Sequence, residues 1–527
     1  MKIKWILVLI LLYSLGIAQR TTEYQFPAES SFVNNRTSAV SIGGNIITAT
    51  SYDQGILILE LTTQDQIVNI KKIDLGISVV VRDVCISLDG CIHISGYGIE
   101  SGIFILKMDK DFNLIWANQY GIGIVYYIGS MSVNKDGVLN LVGAEKYATP
   151  YQAPISIIIN PCGDILNFSS IDVLGSDTEI LYGSMALNSD FILTGVSSIG
   201  SDQKYALWLM RVDLFGRTIW SKYYIQNEVD FDRGLYANGI LDLGNSEFLL
   251  CGRKGDDEFG NNRHFKEMNS FLCRFNSGGE LIQFKLFKSI STNFNNVYTL
   301  TKSNHSIYGV GYTGLVGDGI ILCKYDQNLD IIRAITNKPN NGGYFIRDIE
   351  FVDDKIFCSG GIKLGANQGS CWFGRIDSNL TTFCSWKTID LKAEPYIPNQ
   401  MNFTEKFTPS EARCHNLKVN IEDLTYTTYL SSCNSLDKLT LINHLIFRKE
   451  VVQFSGINDY YSNKDNLVSL VGKTSPIGGE IYFEGVKTSS INPGLLIENK
   501  DYTLDYFYPS KNNCFESCSK KFKVISK

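Results

Sequence analysis

Short apolar runs alternate with polar turns along most of this chain, and the period is that of strands. Asp83-Val-Cys-Ile-Ser-Leu-Asp-Gly90 is followed by Cys91-Ile-His-Ile-Ser-Gly96, then by Gly102-Ile-Phe-Ile-Leu-Lys-Met-Asp109 and Leu114-Ile-Trp116. Each run is four to eight residues long, rich in β-branched and aromatic residues, and bounded by Gly, Asp or Asn, which predicts four consecutive strands. The same order returns at Phe191-Ile-Leu-Thr-Gly195, Leu207-Trp-Leu-Met-Arg-Val-Asp213 and Ile219-Trp220. It returns again at Ile307-Tyr-Gly-Val-Gly311 with Ile321-Leu-Cys-Lys-Tyr-Asp326, and at Ile356-Phe-Cys-Ser-Gly360 with Trp372-Phe-Gly-Arg-Ile-Asp377, Phe383 and Trp386.

Aligned on the first turn, seven copies fall at Gly44, Gly90, Gly137, Asp190, Asn245, Asn304 and Asp354, spaced 46 to 59 residues apart. Four short strands at that period predict the blades of a β-propeller. A sandwich keeps no such period, and a β-helix uses a shorter one. The expected fold class is therefore all-β: a seven-bladed β-propeller over residues 19–395, then a small C-terminal β-sandwich (Ig-like) domain over 396–527. Pro395 and Pro398 suit a linker. The sandwich is read from strand-like runs such as Gly479-Glu-Ile-Tyr-Phe-Glu484 and Tyr502-Thr-Leu-Asp-Tyr-Phe-Tyr508.

Recurrent residues carry specific expectations. Gly96, Gly143, Gly195, Gly252, Gly311 and Gly360 close the second strand, where blades crowd or the chain bends. Third strands end in a cation, an apolar residue and Asp or Asn, as in Lys107/Asp109, Arg211/Asp213, Arg274/Asn276, Lys324/Asp326 and Arg375/Asp377. The Asp or Asn suits a tight turn; the cation is expected to face solvent. Asp109-Lys-Asp111-Phe-Asn113 opens like a calcium loop, but Leu114 stands where that loop needs Gly, so a plain turn is expected.

Composition narrows the class. Hydrophobic residues make up 44% and charged residues 19%, which excludes a disordered or coiled-coil chain. With 48 basic and 54 acidic residues the net charge is −6 and no basic block occurs, so nucleic acid is not an expected partner. Lys2 and Lys4 precede an apolar run of about 12 residues ending at Gly16-Ile17-Ala18. Too short to span a bilayer, which takes about 20, the run is read as a signal peptide, residues 1–18. The expected protein is secreted or held at the cell surface, with no membrane span after cleavage.

The segments Met108-Asp-Lys-Asp-Phe-Asn-Leu-Ile-Trp116 and Val212-Asp-Leu-Phe-Gly-Arg-Thr-Ile-Trp220 resemble the repeats of secreted bacterial β-propellers. They are similar to the delta-60 and SBBP-type repeats of exported Bacteroidetes proteins, and more distantly to quinoprotein (PQQ-like) repeats. The resemblance covers the propeller and implies a surface or secreted module; a C-terminal sorting domain of the type IX route has no counterpart here.

Candidate chemistry is sparse. There are five histidines and no metalloprotease, nucleophile-elbow, phosphate-loop or paired zinc-knuckle motif, and no cofactor is expected. Cys414, Cys433, Cys514 and Cys518 are candidates for two disulfides in any of three connectivities. Cys85 with Cys91, Cys251 with Cys273, and Cys358 with Cys371 are either cross-strand bridges or buried thiols. Sequence length varies only in the second-to-third and fourth-to-first strand connections, which emerge on one face of the disc. That face holds the candidate ligand residues: Asp256, Asp257, Glu258, Arg263 and His264 in the longest insertion, and Tyr147, Tyr151, Tyr223, Tyr224, Tyr312 and Tyr344 beside it. The expected function is non-enzymatic binding of a protein or glycan; the alternative is a propeller-type glycan hydrolase or lyase with acids dispersed over several blades.

Overall fold

The computed structural model describes residues 21–24, most of 36–423 and most of 453–525; outside it lie 1–20, 25–35, 424–452 and most of the longer strand connections. The chain folds as a seven-bladed β-propeller followed by a smaller β-domain. Blades 1 to 7 occupy residues 36–74, 79–120, 125–173, 179–225, 234–289, 295–337 and 343–377, each an antiparallel sheet with its strands in chain order. The first strands touch one another right round the ring, blade 7 against blade 1, and so line the central channel.

Every blade is covered on both faces by its neighbours, which accounts for third strands such as Gly102–Met108, buried at every position. Among the described residues each of the seven interfaces holds an apolar core. Ile56, Ile58, Ile94 and Phe104 join blades 1 and 2, and Ile46, Leu61, Val352 and Phe357 join blades 7 and 1.

The repeated glycines lie opposite a bulge. In blades 2 to 7 the first strand carries one extra residue at the same level: Arg82, Gly129, Tyr182, Asn238, Tyr298 and Arg347. The bulge swings a carbonyl over the second-strand glycine. A Cβ on Gly96, Gly143, Gly195, Gly252 or Gly311 would come within 1.6–2.1 Å of the oxygen of Val80, Tyr127, Ile180, Tyr236 or Asn296 respectively. Crowding by the chain's own neighbouring strand, rather than between blades, fixes these glycines.

The outer turns follow the Asx expectation. Asp109 Oδ1 accepts the amides of Asp111 and Asn113, and its Oδ2 accepts from the Asn113 side chain, so no oxygen pair is presented to a cation. Asn160, Asp213, Asn276 and Asp326 each accept two turn amides in the same way.

The third-strand cations do not face solvent. Lys107 Nζ donates to the Pro161 carbonyl at 3.2 Å, Arg211 to Ser277 O at 3.4 Å, and Arg274 to Gln327 O. Lys324 donates to Asn379 Oδ1 at 3.4 Å, and Arg375 to Thr63 O at 2.6 Å. Each cation reaches the outer turn of the next blade, where carbonyls exposed by the turn supply partners that a strand ladder does not. Fourth-strand tryptophans add to this: Trp116 Nε1 donates to Pro161 O and Trp220 Nε1 to Ser277 O.

Blade 7 departs from the sequence pattern. Its outermost strand is Thr21–Tyr24, paired antiparallel with Gly369–Asp377, so the two ends of the propeller close the ring in one sheet; Phe383, which the sequence pattern places there, lies outside the described residues. Trp386–Thr388 instead pairs with the outer strand of blade 6. The chain then runs backward round the rim. Leu391–Pro395 adds to blade 5, Asn399–Met401 to blade 4, Glu405–Pro409 to blade 3, Cys414–Asn416 to blade 2 and Asn420–Asp423 to blade 1. Residues 399–423, which the sequence pattern places beyond the propeller, form this belt; each short piece satisfies backbone groups an edge strand would leave unpaired.

The C-terminal β-domain comprises a five-stranded sheet, with Tyr460–Ser462 parallel to Phe515–Ile525, and two short ribbons. Leu470, Ile491, Leu504, Phe522 and Val524 form its core. Its Tyr482 ring lies 6.1 Å from that of Phe215, in the outer turn of blade 4. That turn belongs to the face of short connections, opposite the face where sequence length varies.

Candidate functional site

The first strand of each blade begins on the face of long connections and descends along the channel. In blades 2 to 7 the bulge marks the same depth, so one residue per blade is brought into a common ring although the sequence separates them by about 50 positions. The cavity there measures about 210 Å³, room for about seven waters at about 30 Å³ each. Arg82, Tyr127, Tyr182, Asn238, Tyr298 and Asp348 are among its walls, one from each of six blades. Gly129, Gly183 and Gly239 also border it. A Cβ on Gly129 would lie 2.5 Å from Leu181 O, and on Gly239 2.7 Å from Tyr298 O, so these glycines let adjacent inner strands approach.

The residue after the bulge is polar in four blades: Asp83, Ser130, Thr299 and Asp348. Asp83 Oδ1 accepts from the Val84 amide, and its Oδ2 accepts from Ser130 Oγ and the Met131 amide of blade 3. Asp348 Oδ1 accepts from the Ile349 amide and from Thr299 Oγ1 of blade 6. These carboxylates satisfy amides that the bulges release from the ladder, and they link neighbouring blades. Elsewhere in the wall Ser184 Oγ donates to Asn140 Oδ1, and Asn238 Nδ2 donates to Asn296 Oδ1 and Val297 O.

Glu350 stands two residues beyond Asp348, deeper toward the face of short turns. Burial, and secondarily the charges of Asp348 and Asp83, push its carboxyl well above the usual carboxylate range. On the blade 2–3 side the Arg82 guanidinium lies 4.3 Å from the Tyr127 ring centre and 5.4 Å from that of Tyr97, whose hydroxyl it meets at 3.4 Å. The Tyr127 ring packs edge-on against Tyr182 at 6.2 Å. The cavity wall thus combines a cation and aromatic rings with the carboxyl groups of Asp83 and Asp348.

The residues singled out in sequence behave differently. Tyr223 is fully buried and stacks on Trp208 at 5.8 Å; Tyr224, equally buried, packs on Phe275 and donates its hydroxyl to Gly279 O. Tyr223 stacks on its cross-strand partner within the blade 3–4 core and Tyr224 belongs to the blade 4–5 core, so both are packing rather than ligand platforms. Asp256, Asp257, Glu258, Arg263, His264, Tyr147 and Tyr151 lie outside the described residues, as do the side chains of Tyr312, Tyr344, Cys414, Cys433, Cys514 and Cys518. Cys85, Cys91, Cys251, Cys273 and Cys358 are thiols rather than disulfide partners. No group of three or more His, Cys, Asp or Glu among the described residues is arranged to hold a metal ion.

What sequence inspection missed is the bulge ring. Its signal was present: Arg82-Asp83, Gly129-Ser130, Gly183-Ser184, Asn238-Gly239, Tyr298-Thr299 and Arg347-Asp348 recur at one register with the second-strand glycines, as small or polar breaks within apolar runs.

No family model matches the chain, and no curated protein matches it. Among solved structures, it is similar to the GH93 α-L-arabinofuranosidase of Fusarium graminearum in complex with arabinobiose, at 10% identity over 68% of this chain and 97% of that one, with a TM-score of 0.40. The CNH domain of AfRom2 aligns at 12% identity over 68% and 99%, TM-score 0.38. The β-propeller domain of the trilobed protease from Pyrococcus furiosus aligns at 10% identity over 68% and 97%, TM-score 0.37. None of these likenesses reaches a TM-score of 0.5; the propeller rests on the chain's own seven blade sheets and the ring of contacts between their first strands.

Proposed function

We propose that the protein is an exported binding module that receives a hydroxyl-rich ligand, a glycan chain end, at the channel mouth on the face of long connections. The observation that carries this reading is the lining itself: three tyrosines, an arginine and an asparagine from different blades converge on one open cavity, a combination suited to stacking on a sugar ring and hydrogen bonding its hydroxyls. The C-terminal domain touches the opposite face at Phe215, which suits an attachment or spacer role. Export rests on the signal-peptide pattern of residues 1–18, and no helix among the described residues is long and apolar enough to cross a membrane. The test is a glycan and surface-protein binding screen with the wild type, Tyr182→Ala, Tyr298→Ala and a deletion of 256–264. Glycan binding lost in the tyrosine variants supports the channel; binding unchanged in all three variants refutes the proposed face.

A second reading, a glycan hydrolase, is favoured by one observation. Asp83 and Asp348 line the cavity, and burial, with their charges secondarily, pushes the nearby Glu350 carboxyl well above the usual carboxylate range, the direction a general acid needs. Turnover of bound oligosaccharide, abolished in Glu350→Gln with binding retained, would establish it. The hydrogen bonds that occupy Asp83 and Asp348 favour the binding reading.

A further inference from the structure

Arg82 is a charge without a counter-charge. It sits in the first strand of blade 2, at the bulge, in the wall of the channel cavity. Among the described residues its only hydrogen bond is the 3.4 Å contact to the Tyr97 hydroxyl, and no carboxylate forms an ion pair with it. Its Nε is buried and has no hydrogen-bond partner. The Tyr127 and Tyr97 rings flank the guanidinium and hold it in place.

Arg82 is half-buried, and a guanidinium with a buried Nε normally finds a carboxylate, because donors that lose water and stay unpaired cost free energy. The two nearby acids do not serve. Asp83, adjacent in sequence, spends its oxygens on Val84, Ser130 and Met131, and Asp348 accepts from Ile349 and Thr299. Arg82 therefore keeps its planar fork of donors at the wall of the 210 Å³ cavity, next to tyrosine faces. A planar anion matches that fork in two parallel hydrogen bonds, which a spherical or monodentate group does not.

We infer that the channel selects acidic sugars, with Arg82 receiving the carboxylate of a uronic acid residue while Tyr127 and Tyr182 contact its ring. This rests on the reading of the channel as a glycan site and adds the charge of the ligand. Burial pushes the Glu350 carboxyl well above the usual carboxylate range, which favours its neutral form and lowers the negative charge that such a ligand would meet.

The test is calorimetric titration of the full chain with oligogalacturonate and with its carboxyl-reduced, neutral counterpart, for the wild type, Arg82→Met and Arg82→Lys. Arg82→Met keeps the aliphatic stem, and an unchanged melting temperature confirms the fold. The wild type is expected to bind the acidic oligomer at least about tenfold more tightly than the neutral one, with the difference shrinking as salt rises. Arg82→Met is expected to remove that preference, and Arg82→Lys to restore part of it. Equal binding of both oligomers by the wild type, lost in Tyr182→Ala, would overturn the charge selection and leave the glycan site standing. A preference that survives in Arg82→Met would also overturn it. Failure of both oligomers to bind the wild type would overturn the acidic-sugar inference, and the glycan site would fall with it only if the glycan screen also finds no binding.

Discussion

The Arg375 guanidinium donates to the Thr63 carbonyl at 2.6 Å, joining the last blade to the outer turn of the first across 312 residues of sequence. Blades 2, 4, 5 and 6 repeat the clasp with Lys107, Arg211, Arg274 and Lys324, whereas blade 1 has Glu60 and blade 3 has Ile158 at the corresponding position. Ring closure thus combines a side-chain clasp with the pairing of Thr21–Tyr24 to blade 7. Arg375→Met keeps the stem and removes the donor, so it is expected to lower unfolding free energy by about 1–3 kcal/mol, the value of a hydrogen bond to a charged group. Urea denaturation measures it, and an effect within ±0.5 kcal/mol would show the clasp to be idle.

The second-strand glycines predict a steep positional contrast. A Cβ at Gly252 meets the Tyr236 carbonyl at 1.9 Å, and backbone cannot rotate away as a side chain does. Gly252→Ala is expected to cost about 3 kcal/mol or more, at the upper end of overpacking effects. Gly43→Ala, whose nearest neighbour would be 3.8 Å away, is expected to be neutral or slightly stabilising. Melting temperatures of the two variants check this; a fall for both or for neither would contradict the bulge geometry.

The belt over 386–423 predicts solution behaviour. It covers the outer edges of six blades with backbone hydrogen bonds, from Trp386–Thr388 on blade 6 to Asn420–Asp423 on blade 1. A chain ending at residue 385 would expose six ladders of unpaired amides and carbonyls, a template for edge-to-edge pairing. Size-exclusion chromatography is expected to show self-association of this truncation and a single smaller species for the intact chain.

One buried histidine gives a pH dependence whose sign is fixed. His93 is completely buried, its Nε2 lies 3.2 Å from Ser87 Oγ, and burial together with the Lys107 charge pulls its pKa down to about 3 from 6.5. The unfolded chain therefore takes up a proton that the folded chain refuses between about pH 6.5 and 3. Stability is complete above pH 6.5 and falls as pH drops through this window, by up to about 1.4 kcal/mol per pH unit from this group. His93→Gln is expected to lose that share of the slope in urea titrations at pH 7, 6, 5 and 4; parallel curves for variant and wild type would disprove it.

Strand alternation, the Asp and Asn turns and the roughly 50-residue repeat were legible in the linear chain because each depends on neighbours within about ten residues. Side-chain periodicity of two, an Asp109 carboxylate capping the amides of Asp111 and Asn113, and glycines at fixed offsets are local events, and they suffice to specify seven blades. The tertiary structure alone decided three things. The belt and the Thr21–Tyr24 closure depend on backbone pairing at sheet edges, which leaves little trace in side-chain type, so residues 399–423 looked like the start of another domain. The third-strand cations looked solvent-facing because the carbonyls they clasp come from the next blade's turn, 53 to 66 residues on for Lys107 to Lys324 and 312 back for Arg375. The channel takes one residue from each of several blades. Arg82 and Asp348, 266 positions apart (348 − 82), become walls of one cavity only when the ring closes. Local energetics wrote the blades into the sequence, and ring closure, an interaction between distant ends, made the site.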